Sequence, residues 1–252
     1  VLFISLTLVV FFSAVMAVTA NAADVNITVN AGDTAGEMGA LEVIFLFAFL
    51  SLLPSILLMV TSFTRIIIVL GFLRSALGTA QAPPNMVLVG LAFILSLFIM
   101  GPTLSEMNTV AFEPYQAGTI TGTEAIEAAT IPVKKFMLKQ TNDESLNLFL
   151  KLSDTPVPDA NADNYQEVLL ELPLTVITPA FITSELSTAF LMGFLIFLPF
   201  LIVDIVVSSI LMSMGMVMLP PAMISLPFKI LLFVLVDGWN LMMETLVNSF
   251  TM

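Results

Sequence analysis

The chain of 252 residues has no cysteine and no histidine, one tryptophan, two tyrosines, and only seven Lys and Arg residues together. Without cysteine there is no disulfide framework, thiol nucleophile or thiolate zinc site. Without histidine there is no Ser-His-Asp triad and no haem ligand of that type. A carboxylate-only metal site stays open, but no Asp/Glu spacing suggests one, and no cofactor is expected. The scarcity of basic residues gives a formal charge of −12. That excludes a nucleic-acid binder, which needs a basic face to displace counterions. No Walker motif is present, so any ATP hydrolysis belongs to another protein. Charged residues make up only 10%, where soluble domains carry about 25%. Hydrophobic residues make up 58%, and the mean hydropathy is +1.06. A soluble enzyme of this length cannot bury that much apolar surface. The chain is a membrane protein, or a subunit whose faces are sealed by partners.

Val1 to Val18 is apolar, and the small residues Thr19-Ala20-Asn21-Ala22-Ala23 follow it. Ala20-x-Ala22 fits the small-residue rule for signal peptidase and predicts cleavage of a signal peptide, residues 1–22. The alternative, by the segment's length, is a first membrane span. Residues 23–40 form a polar lead-in. A bilayer core takes about 20 apolar helical residues, and four uncharged stretches approach that length. The expected organisation is a first apolar helical hairpin (41–105), an acidic helical insert (106–179), and a second apolar hairpin (180–252) with a methionine-rich loop at 212–221. In the first hairpin Arg65 and Arg74 read as a loop between spans, and a helix from Met86 to Met100 is expected to stop at Gly101-Pro102. The insert carries eleven Asp or Glu against four Lys. Thr141 to Glu144 reads as a capping box, and a short helix from Tyr165 to Leu172 ends at Pro173. The fold class is all-α: membrane-type helical hairpins with a polar, extracytoplasmic helical insert and no strands. Arg65 and Arg74 place their loop in the cytoplasm by the positive-inside rule, which puts the insert outside. A cleaved signal peptide requires the same orientation.

Met212, Met214, Met216 and Met218 alternate. In a helix, residues two apart split between faces; in an extended or irregular segment they share one. Gly215 and Pro220-Pro221 favour the irregular form. Thioethers gathered from several copies around an axis make a soft, water-excluding constriction. The plainer alternative is that these methionines fill a helix contact or touch lipid. Charges inside apolar segments need partners. Asp204 and Lys229 lie at similar distances on either side of Met216, so an antiparallel hairpin pairs them. Glu185 with Arg65 or Arg74 is a candidate contact between subunits, and Asp237 is a further assembly residue. Asp204 and Asp237 also raise an intramembrane aspartyl protease, but Leu235 to Trp239 lacks the Gly-x-Gly-Asp frame of that class. A small-solute or ion transporter is a third class, and no internal repeat supports it.

Several long runs resemble the FliP family of flagellar type III export-gate proteins and its virulence type III secretion relatives. They are TSFTRIIIVLGFLRSALGT (Thr61 to Thr79), APPNMVLVGLAFILSLFIMGP (Ala82 to Pro102), KKFMLKQT (Lys134 to Thr141), PAFITSELSTAF (Pro179 to Phe190) and LPFLIVDIVVSSILMSMGMVMLPP (Leu198 to Pro221). Two positions depart from the family pattern. Ser187 stands where a basic or long polar residue is usual, and Val217 splits a methionine run. The resemblance implies a homo-oligomer of about five copies, arranged helically with FliQ and FliR. FlhB would lie at the cytoplasmic entrance of this hetero-oligomeric gate for unfolded flagellar proteins in the inner membrane and basal body. The pore constriction would be Met212, Met214, Met216, Val217 and Met218. The virulence injectisome counterpart is the neighbouring alternative.

Overall fold

In the computed structural model the described residues are 47–48, 51–52, 55, 58–79, 81–156, 165–216 and 218–250. The signal segment, the lead-in and parts of the first apolar stretch lie outside them. Every helix below belongs to one unit, Leu50–Met252.

Helix α1, Phe63–Leu77, buries Ile66, Val69, Leu70, Leu73, Ala76 and Leu77. Those positions recur at the three- and four-residue steps of one helical face. Arg65 and Arg74 therefore sit on a helix, not in a loop between spans: no proline falls between Phe63 and Leu77, and the buried apolar face continues past Gly71. Gly78 ends the helix in the left-handed conformation, its N–H donating to Ser75 O at 3.1 Å.

Helix α2, Asn85–Met107, follows Pro83-Pro84 and does not stop at Gly101-Pro102. A proline removes one N–H and crowds the carbonyl four residues back, which bends a helix when the flanking residues favour it. The chain continues through a π-helical turn, Asn108–Phe112, into the short α3, Glu113–Gln116.

Three helices of the acidic insert follow. A capping box opens α4, Gly122–Gln140, but it is formed by Thr121 and Glu124. The Thr121 N–H donates to Glu124 Oε2 at 2.7 Å, and that bond, with one from the Thr121 hydroxyl, holds the Glu124 carboxyl below its ordinary pKa. The box expected at Thr141–Glu144 does not form. Asn142 caps α5, Asp143–Leu152, by accepting from Ser145 N–H at 2.7 Å. The Thr141 hydroxyl instead donates to Met137 O. Helix α6 is Tyr165–Glu171.

Helix α7, Leu174–Ser213, runs 40 residues through Pro179 and Pro199. The helix therefore carries on without a break from the insert into the second apolar segment. At about 1.5 Å per residue it is roughly 60 Å long, about twice a bilayer core. Its first half is the structural spine. Val176, Ile177, Ala180, Phe181, Ala189 and Gly193 are buried there, and α1, α4 and α5 pack against the helix. Its second half shows Phe194, Leu198, Ile202, Ile205 and Ile210 to the outside. Helix α8, Pro221–Leu235, returns along α7, and α9, Gly238–Asn248, turns away by 66°. Asp237 makes that corner with φ 51. The Phe233 ring lies over Gly238, where a Cβ would stand only 2.3 Å away.

One hydrophobic core joins these elements, with Ile66, Val69, Leu70, Met137, Ile177, Phe181 and Leu246 fully enclosed. Among the described residues there is no strand and no buried side-chain N or O without a hydrogen-bond partner. Among the described residues, two stretches are long and apolar enough to cross a membrane: Asn85–Gln116, of hydropathy 2.3, and Leu174–Ser213, of hydropathy 2.7. The bent α8–α9 pair makes a third if counted as one span.

Helices α1 and α7 pack closely at Gly193, where a Cβ would come within 2.3 Å of the Phe72 ring. That ring is held edge-on to Phe190, centroids 5.1 Å apart. Gly193→Ala is expected to cost about 1–3 kcal/mol through overpacking. Thermal unfolding in detergent checks it, and Phe72→Ala in the same chain should remove most of the added cost.

Candidate functional site

The hairpin between α7 and α8 concentrates the chain's unusual chemistry. Helix α7 closes in a Schellman arrangement. The Met216 N–H donates to Leu211 O at 3.0 Å, and the Gly215 N–H donates to Met212 O at 3.0 Å. Gly215 has φ 74, which a side chain would strain. A second turn follows, with the Leu219 N–H donating to Met216 O at 3.3 Å, before Pro220 opens α8. The methionines are therefore not strung along an extended strand. Met212 rides the last turn of α7, and Met214, Met216 and Met218 sit on the two turns beyond it. All four are exposed. Val217 lies outside the described residues.

Nine residues below Ser213 on α7, and eight beyond Pro221 on α8, Asp204 and Lys229 meet. Lys229 Nζ donates to Asp204 Oδ2 at 2.6 Å, and Ser225 Oγ donates to Oδ1 at 2.6 Å. Lys229 is buried and Asp204 half-buried. A Cβ on Gly78 would lie 3.9 Å from Lys229 Nζ. The ammonium thus approaches the C-terminal end of α1, where the helix dipole favours a cation. The pair clamps the hairpin's two arms in register. Ser225 was not anticipated, although its spacing four residues before Lys229 places both on one helical face.

A second charge cluster lies deeper. Arg65 on α1 and Glu185 on α7 form a two-pronged ion pair within one chain. The Arg65 Nε donates to Glu185 Oε2 at 2.8 Å, and Nη2 donates to Oε1. Both side chains are almost fully enclosed. This differs from a contact between subunits: each charge already has its partner, and burying either alone costs several kcal/mol. Arg65 Nη1 also donates to Ser249 O at 2.7 Å and to Ser249 Oγ at 3.2 Å. The Phe250 ring lies 3.9 Å from the guanidinium carbon. One arginine therefore ties α1, α7 and the segment after α9. Nothing in the local sequence marks Ser249 or Phe250 as its partners, which lie 184 residues away or more.

Arg74 takes another role. Its Nη1 donates to Asn85 Oδ1 and approaches Pro83 O at 3.5 Å, bracing the α1–α2 turn. Asp237 is exposed and accepts from Asn240 Nδ2 at 2.7 Å. Asp204 is engaged by Lys229 and Ser225, so the two aspartates do not form a proton-sharing dyad. Among the described residues no three Asp or Glu side chains converge as a metal site. The groove between α7 and α9, lined by Thr188, Met192, Glu244, Thr245 and Asn248, is open rather than enclosed. It does not have the shape that buries a small substrate.

These features define an all-helical membrane-type protein whose buried charges, Arg65, Glu185 and Lys229, are paired within the chain and whose α7–α8 hairpin exposes four methionines. Residues 46–246 match the FliP family. The flagellar biosynthetic protein FliP of Bacillus subtilis strain 168 is 48% identical over 221 residues, covering 88% of this chain and 96% of that protein. FliP of Caulobacter vibrioides is 49% identical over 225 residues, 89% of this chain and 82% of that protein. FliP of Aquifex aeolicus is 47% identical over 211 residues, 84% and 86% of the two chains. The chain belongs to the FliP family.

Removing one member of a buried pair leaves an uncompensated charge. Arg65→Ala is expected to destabilise the chain by about 3–5 kcal/mol, whereas Arg65→Met with Glu185→Leu should recover most of that. Chemical denaturation of the detergent-solubilised protein measures both. At the other clamp, Asp204→Lys with Lys229→Asp should restore assembled complex on native gels better than either single reversal. Equal yields from all three would remove the pair's role in assembly.

Proposed function

We propose that this chain is a pore-forming, non-enzymatic subunit of the bacterial flagellar type III protein export gate, passing unfolded flagellar proteins across the inner membrane. The observation that carries this reading is the α7–α8 hairpin. Its tip exposes Met212, Met214, Met216 and Met218, and its arms are pinned by the buried Lys229 and the half-buried Asp204. A flexible, apolar, polarisable tip on a rigid stalk suits a constriction that must exclude water and ions, yet yield to polypeptides of any sequence. Membership of the FliP family, whose relatives are named flagellar biosynthetic proteins, supports the assignment.

About five copies would converge on one axis with FliQ and FliR, with FlhB at the cytoplasmic entrance. The large apolar surface on the second half of α7 supports an assembled role, because one copy leaves it uncovered. Such an extent of exposed apolar surface marks a partner or membrane interface. The acidic helices α4 to α6 would face the periplasmic side and the methionine hairpin the cytoplasmic side. Of the two basic residues that set this orientation, only the partly exposed Arg74 still counts toward it, since Arg65 is consumed in a buried pair. The expected signal peptide agrees with that orientation. The virulence injectisome is the alternative system, and deletion separates them: loss of motility with effector secretion intact supports the flagellar gate.

Replacing Met214, Met216 and Met218 together with Ser should make the assembled complex leak small ions while protein export continues. Conductance of reconstituted complexes reads this directly. A fully assembled triple variant as tight as wild type would contradict the seal.

A further inference from the structure

Four of the chain's cations are lysines of the insert, and three lie on apolar helices: Arg65, Arg74 and Lys229. Arg65 and Lys229 each hold a carboxylate of the same chain. Arg74 meets only neutral oxygens, those of Asn85 and Pro83, and both through Nη1. Its Nε and Nη2 have no partner among the described residues. The carboxylates from α7 to α9 leave one counterpart. Glu185 and Asp204 are paired with cations, and Asp237 accepts from Asn240. The Glu244 carboxylate makes no hydrogen bond or ion pair among the described residues. A charge on an apolar helix calls for a partner.

The two unmatched charges lie on opposite flanks. Arg65 points toward α7 and the end of α9, and Phe72, seven residues on, still faces α7. Arg74 follows Arg65 by nine residues, about two and a half helical turns, so it leaves the other side of α1. Glu244 stands between the buried Met242 and Leu246 and opens into the groove between α9 and α7. The levels are close. Phe72 packs on Gly193, Met192 lines the groove, and Arg74 lies two residues past Phe72.

We propose that the α7–α9 groove is a contact between copies of this chain, in which Glu244 of one copy receives Arg74 of the next. This contact rests on the reading that several copies assemble. A guanidinium offers a carboxylate two parallel N–H donors, and the free Nε and Nη2 supply that fork. Asn248 and Thr188 stand in the same groove as further acceptors. A two-fold pair cannot satisfy charges on opposite flanks. Head-to-tail contacts can, and they continue from copy to copy as a ring or a helix.

The chain has no cysteine, so the test adds Arg74→Cys and Glu244→Cys and treats the assembled complex with a short bis-maleimide. The chain carrying both changes should give a ladder of dimers, trimers and higher oligomers. Either single variant should give no cross-link, and two differently tagged single variants expressed together should stop at the mixed dimer. In a separate series, Arg74→Glu and Glu244→Arg should each lower the yield of complex about tenfold through like-charge contact. The double reversal should exceed both, although it shares the loss of the Asn85 brace with Arg74→Glu. Copies that cross-link through Met218→Cys but not between positions 74 and 244 would overturn the contact and leave the assembly reading standing. Cross-linking at neither place would remove both. Cross-linking of position 74 to Asp237→Cys in place of Glu244→Cys would also overturn the proposal, as would a double reversal no better than the singles.

Discussion

The Arg65 guanidinium is the constraint on which the rest of the structure depends. It is enclosed with Glu185, so the two charges must be satisfied by each other and by neighbours. Nε and Nη2 take the carboxylate, Nη1 takes the Ser249 carbonyl and hydroxyl, and Phe250 covers the guanidinium face. Charge-assisted, two-pronged bonds of this kind specify geometry more tightly than apolar packing does. The consequence is a fixed relation between α1, the spine helix α7 and the segment after α9. Hydrophobic packing in a chain this apolar could be satisfied by many helix registers. A buried ion pair can be satisfied by few. Ser184, one residue before Glu185, extends the constraint into the insert: it donates to Gln140 O at 3.2 Å and accepts from the Asn142 N–H at 2.9 Å.

From that anchor α7 projects as a long stalk. Its buried first half belongs to the core, and its exposed second half carries the hairpin with α8. The Asp204–Lys229 clamp repeats the same device near the tip, with Ser225 as the third member. Beyond the clamp the backbone closes on itself through Gly215, and the exposed groups are methionines. Rigid polar registration at two levels, with soft apolar side chains at the end, is the physical basis of the gating role proposed for this chain.

Much of this was legible in sequence, for identifiable reasons. Composition pointed to a membrane protein or a partner-sealed subunit, since apolar content and the lack of charge are additive properties, and the length of the uncharged stretches pointed to helices. Asp204 and Lys229 could be paired because they lie at similar distances on either side of a tight hairpin turn. Other features were not local. Arg65 reads as a loop cation until the uninterrupted helical face from Ile66 to Leu77 is given weight, and its partner Ser249 is distant in sequence. Pro102 suggested a helix end, yet the helix carries on through it to Met107 and into a π-helical turn. Thr141 and Glu144 form no capping box because Asn142, adjacent to Thr141, caps α5 instead. Gly193 gives no sequence signal beyond being glycine; only the Phe72 ring against it explains the residue.

The central claim is that hairpin tips from neighbouring copies meet at a common axis. The cysteine-free chain allows a direct measurement. Met218→Cys, assembled and treated with a short bis-maleimide, should give cross-linked dimers and higher oligomers of this chain, while Met86→Cys under the same treatment should not. Assembled complexes in which residue 218 reacts with a mono-maleimide but yields no cross-link between copies would contradict the account.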